Sequence, residues 1–450
     1  MLTDLIQQAG VVGEGGAGFP THVKLDAKAE CFIVNAAECE PLIETDKYLC
    51  RMFPEEITDA TLRIGEHLGA KRLVILLKRK YKREIEALTR VIQAKNANIE
   101  MFLTDAFYPA GDEQVIVQLV CGRSVPERGI PIAVGAVVDN VGTVISVYRA
   151  LKGLPVTDKH LSVTGEVEKP VMLKAPLGTP VTECIKAAKP TVSQYGIILG
   201  GPMMGKLYTK PEDIESLSVT KTTGNILVLT KGHYLFTQAS KPLSRIIKQA
   251  QSACIQCRFC TDQCPRHRIG HNIRPNLVMR SVFMEHLVED NTEYERFFGT
   301  AANCSECGLC ELYSCPMGLS PRRINVFLKG RLREKGIDVP KNPAAEARES
   351  ILFGKAATGR LTARLGLLEY GERHAGDECV EIAPERVRLP FSQHLGKPAI
   401  PVKKEGEEVV RGELVAAAAE GALSANIHAG IDGVIERLDE FRAVIRRKGE

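Results

Sequence analysis

The 450-residue chain contains no tryptophan, and aromatic residues make up only 5% of it. Surfaces that stack nucleic-acid bases are built from aromatic side chains, so this composition argues against a protein that binds single strands. The formal net charge of +4 is small for this length and gives no electrostatic reason for a nucleic-acid partner.

Long apolar runs are also missing. The longest, residues 130–138, is far too short to span a bilayer, so we expect no membrane-spanning segment. No basic segment followed by an apolar core marks residues 1–10 as a signal peptide, which predicts a cytoplasmic protein with reduced thiols. The length is sufficient for three or four domains.

Cysteine, in contrast, is abundant and clustered. Eight of the fourteen cysteines fall into two groups about fifty residues apart, and each group ends in Cys-Pro. Three thiolates spaced i, i+3, i+6 can surround one face of a cubane, whereas the fourth, at the Cys-Pro turn, is free to reach the other cluster. The pattern therefore predicts two [4Fe–4S] clusters, one bound by Cys254, Cys257, Cys260 and Cys315 and one by Cys304, Cys307, Cys310 and Cys264.

Zinc and structural disulfides are the alternatives for these cysteines. Zinc sites usually join two Cys-x-x-Cys pairs from separate knuckles and do not add a third cysteine at the same step. Disulfides are disfavoured if the protein is not exported. The remaining cysteines are scattered, and we interpret each as a buried thiol: Cys31, Cys39, Cys50, Cys121, Cys184 and Cys379.

The rest of the chain divides into segments with different patterns of predicted strands and helices. Alternating strand and helix patterns predict an α/β domain with a largely parallel sheet over residues 1–155. A β-rich module with one helix follows over 156–238, and the cysteine groups occupy 239–335 with a helix between them. Residues 336–395 have no clear period and stay unassigned, and 396–450 return to short strands.

A glycine-rich loop lies near the N-terminus, where Gly13, Gly15 and Gly18 match G-x-G-x-x-G and Gly16 adds a further glycine. A dinucleotide-binding Rossmann loop follows a strand. Here a helix is predicted before the loop, so we reject that assignment. Glycines still let backbone N–H groups approach a phosphate or a flat ring, and Lys24 supplies positive charge one turn later. The alternative is a flexible turn without a ligand.

An acidic segment, residues 35–41, follows the first predicted strand. Its carboxylates Glu38 and Glu40 come after the strand end and close to the glycine loop in sequence, a position from which they can hold ribose hydroxyls. The alternative is solvent-exposed loop charge.

Three segments resemble the flavoprotein subunit of respiratory complex I. Residues 13–24 resemble its flavin- and NADH-binding loop, 35–41 its acidic motif with Ala37 in place of an aspartate, and 139–143 its asparagine-containing flavin segment. The resemblance implies FMN and NADH, although the residues do not distinguish FMN from FAD or NADH from NADPH. It implies these binding residues: Gly13, Gly15, Gly16, Gly18 and Lys24 at the phosphates, Glu38 and Glu40 at the ribose or ring, Asn140 and Thr143 at the flavin, and Asn35 as a further cofactor-binding residue of the acidic motif.

Other segments resemble the RnfC component of the Rnf electron-transport complex, among them 108–113, 200–205 and the ferredoxin-like insertion. In RnfC the barrel-sandwich module comes first, whereas here it is expected at 396–450. This order resembles the cobalamin reductases of propanediol-utilisation bacterial microcompartments.

That resemblance implies a multidomain α/β fold. Its parts are a complex-I-flavoprotein-like α/β domain, a soluble-ligand-binding β-grasp domain, a helical ferredoxin-like domain with two [4Fe–4S] clusters, and a C-terminal barrel-sandwich module. Residues 427–434 are similar to the second half of a biotinyl or lipoyl domain. Gly421 and Ala422 occupy the turn that carries the attachment lysine in those domains, so we expect no covalent biotin or lipoate.

The same resemblance implies an NADH-dependent reductase that takes cobalamin from Co(III) to Co(II) and Co(I) in single-electron steps. It implies a place inside a microcompartment in the cytoplasm, with a shell protein and an adenosyltransferase as partners. Two other functions stay open. One is an electron conduit without its own cobalamin chemistry, which Ala37 and Cys39 in the acidic motif favour. The other is a sensor or assembly module that binds a corrinoid without turnover.

Overall fold

The computed structural model describes residues 1–449. The N-terminal unit alternates strands and helices in this order: α1 Leu2–Gln8, α2 Thr21–Leu25, β1 Cys31–Asn35, α3 Thr45–Met52, α4 Pro54–Leu68, β2 Arg72–Lys78, α5 Lys82–Ala94, β3 Glu100–Thr104, β4 Phe107–Tyr108, α6 Glu113–Cys121, β5 Ala136–Asn140 and α7 Val141–Leu151. Strands β3, β2, β1 and β5 form a parallel sheet in that spatial order. The parallel α/β architecture that the sequence predicted is confirmed.

Local sequence explains these elements. Strand β1 carries Phe32, Ile33 and Val34, all fully buried, as expected for a parallel strand covered on both faces. Helix α4 begins with Pro54, which favours a first helical turn, and ends at Gly69 with a left-handed φ of 68°.

The strand order places a crevice at one edge of this sheet. From β1 the chain proceeds through β2 to β3 on one side, whereas β5 adds on the other side. Ligands of open parallel sheets bind outside the carboxyl ends of the strands at such a reversal. In the register of β1 with β5, Asn35 lies opposite Asn140, so both residues stand at this reversal point.

The second unit is a mixed sheet that packs against two helices, one more than the sequence predicted, because the six-residue helix Pro211–Ser216 is too short to leave a helical period. Its elements are β6 Asp158–Gly165, β7 Val171–Pro176, α8 Val181–Ala188, β8 Tyr195–Leu199, β9 Lys206–Tyr208, α9 Pro211–Ser216 and β10 Asn225–Thr230. The sheet order is β12-β7-β6-β10-β8-β9, where β12 is contributed by Cys379–Glu381 from much later in the chain. Helix α8 packs Val181, Cys184 and Ile185 into the core of this unit.

The segment with the two cysteine groups is helical. Its helices are α10 Tyr234–Ala239, α11 Leu243–Ala253, α12 Phe259–Asp262, α13 Pro265–Arg268, α14 Pro275–Ser281, α15 Asn291–Phe298 and α16 Pro321–Glu334, with 3-10 turns at Val282–Leu287 and Gly299–Asn303 and a π-helical turn at Cys310–Ser314. Ile246, Tyr294, Phe298 and Leu328 form its core.

The last part of the chain contains α17 Ser350–Phe353, β11 Ala356–Ala357, α18 Thr358–Arg364, β12, β13 Arg386–Pro390, β14 Ile400–Pro401, β15 Glu408–Val409, β16 Leu414–Ala417, β17 Ile427–His428, β18 Gly433–Leu438 and β19 Arg442–Arg447. Two small antiparallel sheets, β13-β19-β18-β15 and β14-β16-β17, form the C-terminal module. Within residues 1–449, no helix combines the length and the apolarity that crossing a bilayer requires.

The segment that the sequence left unassigned, 336–395, links the other units. Strand β11 pairs with β4 of the first unit, β12 with β7 of the second, and β13 with β19 of the C-terminal module. Strands β11 and β12, of two and three residues, are too short to leave a readable period, which explains why the sequence pattern did not reveal them.

Candidate functional site

The glycine loop closes on itself beside the sheet. The amide of Gly13 donates to the carbonyl of Phe19 at 2.8 Å. A Cβ on Gly15 would lie 2.9 Å from Cβ of Asn140, so this position requires glycine for close packing. A Cβ on Gly16 would meet nothing within 4 Å, so this part of the loop borders open space.

The loop lies against the N-terminus of α7. The amide of Glu14 donates to Oγ1 of Thr143 at 3.0 Å, and Oδ1 of Asn140 caps the helix by accepting from the Gly142 amide at 2.8 Å. A helix N-terminus beside a glycine loop attracts anionic groups such as phosphate. The structure therefore brings Gly15, Gly16, Asn140 and Thr143 together at the carboxyl end of β5.

Four polar residues that the sequence analysis did not select complete this region: Glu14, Asp46, Ser146 and Lys159. Oγ of Ser146 donates to Glu14 Oε1 at 2.5 Å, and the Lys159 ammonium forms an ion pair with the other oxygen of the same carboxylate. Asn140 donates through Nδ2 to Asp46 at 2.9 Å. Lys159 belongs to the second unit, so the Glu14 pair fastens the glycine loop to β6.

We expect Lys159→Met to destabilise the fold by about 3 kcal/mol, because it leaves the Glu14 carboxylate buried and unpaired. The side chains of this pair are only 6% and 11% exposed. Urea unfolding followed by circular dichroism measures the change. Lys189→Met is the matched control, since its pair with Glu168 is at the surface and should cost less than about 1 kcal/mol. Equal losses in the two variants would contradict this account of Lys159.

Lys24 is not directed at the glycine loop. Its ammonium donates to Glu113 Oε1 at 2.8 Å, to the Val138 carbonyl at 2.5 Å and to Asp139 Oδ1 at 3.2 Å, which uses all three N–H donors. Burial acts to lower the pKa of Lys24, but the charges of Asp139 and Glu113 outweigh it and raise the pKa above its usual value. In this arrangement Lys24 holds α2 to the end of β5, and a phosphate contact by it stays a prediction.

The residues of the acidic motif diverge. Asn35 donates through Nδ2 to the Gly111 carbonyl at 3.0 Å and accepts from the Ala37 amide. Oε2 of Glu38 accepts from the amide of Asp46 at 2.8 Å, and burial with the neighbouring Asp46 charge raises its pKa. Glu38 therefore connects through Asp46 to Asn140, whereas Glu40 does not belong to this group.

Glu40 reaches the 200–205 loop of the second unit. Its Oε2 accepts from the Met203 amide at 2.7 Å, and a Cβ on Gly201 would overlap the carboxylate. Burial raises the pKa of Glu40 to about 7, although backbone donors oppose this.

Glu40 should make the stability of the protein depend on pH. Because its pKa is near 7 in the folded protein and near 4.5 otherwise, the folded state binds more protons between these values. The stability contribution is complete below about pH 4.5 and is lost as the pH rises to about 7, a change of up to about 3 kcal/mol. Glu40→Gln removes this titrating carboxyl group. The difference in unfolding free energy between the wild type and Glu40→Gln should therefore change between about pH 4.5 and about pH 7. A pH-independent difference would contradict this assignment.

The eight cysteines surround two cavities. The outer cysteine set consists of Cys254, Cys257, Cys260 and Cys315 and lines one cavity. The inner cysteine set consists of Cys264, Cys304, Cys307 and Cys310 and lines the other. Each cavity thus gathers three cysteines of one group and the Cys-Pro cysteine of the other.

The two loops share a local backbone pattern. Two and four residues after the first cysteine, each chain segment has a left-handed residue: Gln256 and Arg258 in one group, Glu306 and Gly308 in the other. This turn wraps the backbone around the cavity. A hydrogen bond reaches a sulfur in each set, from Gln256 Nε2 to Cys254 at 3.1 Å and from the Glu306 amide to Cys304 at 3.4 Å.

This arrangement fits a multi-iron cluster better than zinc. Within residues 1–449, no three His, Cys, Asp or Glu side chains converge closely enough to bind one metal ion. A tetrahedral zinc site holds its ligands around a single point, whereas here the sulfurs border a cavity. Hydrogen bonds to sulfur and burial are the features that tune the potential of a bound [4Fe–4S] cluster.

The inner cysteine set is bonded to the N-terminal unit. The Tyr108 hydroxyl donates to the Cys307 carbonyl at 2.6 Å, and Arg266, two residues after Cys264, pairs with Asp112 at 2.6 Å. A further connection runs to the second unit, where the Met203 carbonyl of the 200–205 loop accepts at 3.0 Å from Nη1 of Arg322, which lines the inner cavity. The segments 108–113 and 200–205, which resemble RnfC, are therefore the segments that contact the inner set.

Three family models match the chain. The Nuo51 FMN-binding domain matches residues 6–149, the 4Fe-4S dicluster domain residues 253–320, and the RnfC Barrel sandwich hybrid domain residues 376–448. The predicted fold class is confirmed by these matches together with the sheets described above. FMN and iron–sulfur clusters are the cofactors that the matched domains indicate.

Curated relatives match over different lengths. The cobalamin reductase PduS of Citrobacter freundii is 39% identical over 99% of this chain and 96% of the relative, and that of Salmonella typhimurium is 40% identical over the same shares. The C component of the ion-translocating oxidoreductase complex of Rhodobacter capsulatus is 33% identical over 58% of this chain and 48% of the relative. The NAD+-reducing [NiFe]-hydrogenase in the H2-reduced state has a TM-score of 0.47 at 20% identity, covering 77% of this chain and 68% of that chain.

Proposed function

The chain belongs to the family of the cobalamin reductases PduS, and we propose that it is an NADH-dependent flavin and iron–sulfur reductase that delivers single electrons to cobalamin. The observation that carries the proposal is the bonding of the inner cysteine set to the N-terminal unit through Tyr108 and Arg266. This contact joins the part of the chain that matches an FMN-binding domain to the part that matches a dicluster domain.

The electron balance explains why both kinds of cofactor are needed. Oxidation of one NADH to NAD+ releases two electrons and one proton, whereas Co(III) to Co(II), and Co(II) to Co(I), each take one electron. When bound, FMN supplies what a cluster cannot, because it accepts a hydride and releases its electrons singly. Two cobalamin molecules reduced by one electron each therefore consume one NADH.

The glycine loop and the N-terminus of α7 are the proposed flavin site. Gly15 packs against Asn140, Gly16 leaves open space, and Thr143 fixes the loop through the Glu14 amide. Gly13 and Gly18 shape the two ends of the loop, and Gly18 has a left-handed φ of 75°. We propose Asn35, Glu38 and Glu40 for the NADH side, because Asn35 ends β1 and the two glutamates follow it at the same edge of the sheet.

The cysteine sets have different proposed positions in the electron path. We propose that the inner set is the nearer one to the flavin-site residues, since it is bonded to Tyr108 and Asp112, and the Gly111 carbonyl between them accepts from Asn35 at the end of β1. The outer set is then the terminal one. Cys264 follows the first cysteine group in sequence but lines the inner cavity, and Cys315 follows the second group but lines the outer cavity. The chain segments that contain these two cysteines therefore connect the two cavities.

The family supports a biological setting for this activity. We propose that the protein recycles cobalamin for propanediol degradation inside a bacterial microcompartment, with a shell protein and an adenosyltransferase as partners. Co-purification from cells with and without each partner checks this setting separately from the chemistry.

An anaerobic optical experiment tests the proposed function. Cluster-loaded protein with FMN is mixed with NADH and hydroxocobalamin, and the spectrum is followed through Co(III), Co(II) and Co(I). We expect flavin bleaching followed by reduction of cobalt. Flavin bleaching without cobalt reduction would contradict the cobalamin step. An absence of flavin bleaching would favour the electron conduit. The carboxylates of Glu38 and Glu40 already accept hydrogen bonds from backbone amides, and this would then explain why they do not bind NADH.

A further inference from the structure

We propose that electrons leave through an exposed face over the outer cysteine set, and that this face docks an acceptor protein with an acidic surface around an apolar centre. The inference rests on the proposed function, since it assigns the exit of the same electron path. We define the exit face by the apolar residues Ile255, Phe259, Leu277 and Met317 and the arginines Arg258 and Arg280.

The apolar part of this face is exposed to solvent. Its four large side chains are between 45% and 61% exposed. Single exposed apolar residues are ordinary, whereas several around one site mark an interaction surface. Ile255 and Met317 line the cavity of the outer cysteine set directly. A partner that covers them would therefore approach that set closely.

The remaining apolar residues lie on two helices that are bonded to each other. Phe259 begins α12 and Leu277 lies on α14. The Thr261 hydroxyl of α12 donates to Asn276 Oδ1 of α14 at 2.6 Å, and Asn276 also lines the cavity. This bond holds both helices at the same cavity, so their exposed side chains belong to one face.

The charges of the face select the partner. Arg258 lines the cavity of the outer set, Arg280 lies on α14 one turn after Leu277, and both arginines are exposed. The neighbouring acid, Asp262, is 3.5 Å from Arg258. Two arginines against one aspartate leave the face positive. Such charges steer encounter and set partner choice in weak electron-transfer complexes.

Charge reversal tests the docking proposal by equilibrium binding. The probe is flavodoxin, a small acidic redox protein, titrated at low salt against cluster-loaded protein. We expect Arg258→Glu with Arg280→Glu to weaken binding at least about tenfold and to flatten its salt dependence. The matched control reverses Arg437 and Arg446, two exposed arginines of the C-terminal module, with the same change in net charge. Binding weakened equally in both pairs, or in neither, would overturn the proposal.

A second variant tests the apolar centre. Phe259→Gln keeps the charges of the face and should also weaken flavodoxin binding, while iron content stays that of the wild type. Reduction of free hydroxocobalamin by NADH is measured in parallel. If charge reversal slows this reduction as much as it weakens flavodoxin binding, the face serves a free corrinoid and the acidic-protein assignment is wrong. If the wild type binds flavodoxin but reduces no cobalamin, the proposed function fails and the docking face stands.

Discussion

Cys307→Ala should lower the iron content from about eight atoms per chain to about four and abolish cobalamin reduction by NADH. Cys307 belongs to the inner cysteine set, and its carbonyl accepts the Tyr108 hydrogen bond that links this set to the N-terminal unit. Removing its thiolate leaves three ligands for one cluster. Flavin bleaching by NADH should persist, because the glycine loop is untouched. Iron and sulfide analysis with anaerobic optical spectroscopy measures both effects.

Cys379→Ala is the control for this prediction. Cys379 is a half-buried thiol at the start of β12 and lines neither cavity, so its loss should leave iron content and turnover unchanged. Full iron content in Cys307→Ala would contradict the ligand assignment. Half the iron with full cobalamin reduction would contradict the position of the inner set in the path.

Gly16→Leu is expected to weaken FMN binding by roughly tenfold to a hundredfold, because the new side chain projects into space that the bound flavin needs. A Cβ at this position meets no protein atom within 4 Å, so the free energy of unfolding of the flavin-free protein should not change. Fluorescence titration with FMN measures the affinity, and urea unfolding measures the stability.

The matched control is Gly232→Leu. A Cβ on Gly232 would likewise meet no protein atom within 4 Å, and this glycine lies in the turn between β10 and α10, away from the glycine loop. This variant should bind FMN as the wild type does. Unchanged FMN affinity in Gly16→Leu would show that the flavin does not border this loop.

Regular elements were predictable because each has a local period. The helices at Pro54–Leu68 and Lys82–Ala94 follow directly from apolar spacing, and the cysteine spacing alone led to the two sets that the structure gathers around its cavities. Cysteines three residues apart are a short-range signal, and the ferredoxin ligand pattern supplied the exchange of Cys264 and Cys315 between the groups.

Contacts between units could not be predicted in the same way. Lys159 pairs with Glu14 across 145 residues, Arg266 with Asp112 across 154, and Tyr108 bonds to Cys307 across 199. The hydrophobic period of a sequence carries no information on pairs that are so far apart in the chain. Lys24 illustrates the same limit, because its charge suggested a phosphate while its partners Glu113 and Asp139 are distant in sequence and became visible only in the fold.

Freeze-quench electron paramagnetic resonance tests most directly whether electrons from the flavin reach the inner cysteine set before the outer set. Cys257→Ala keeps the inner set intact, and Cys307→Ala keeps the outer set intact. After rapid mixing with NADH, the account predicts the signal of a reduced [4Fe–4S] cluster in Cys257→Ala and none on the same timescale in Cys307→Ala. The reverse result, prompt reduction in Cys307→Ala alone, would contradict it.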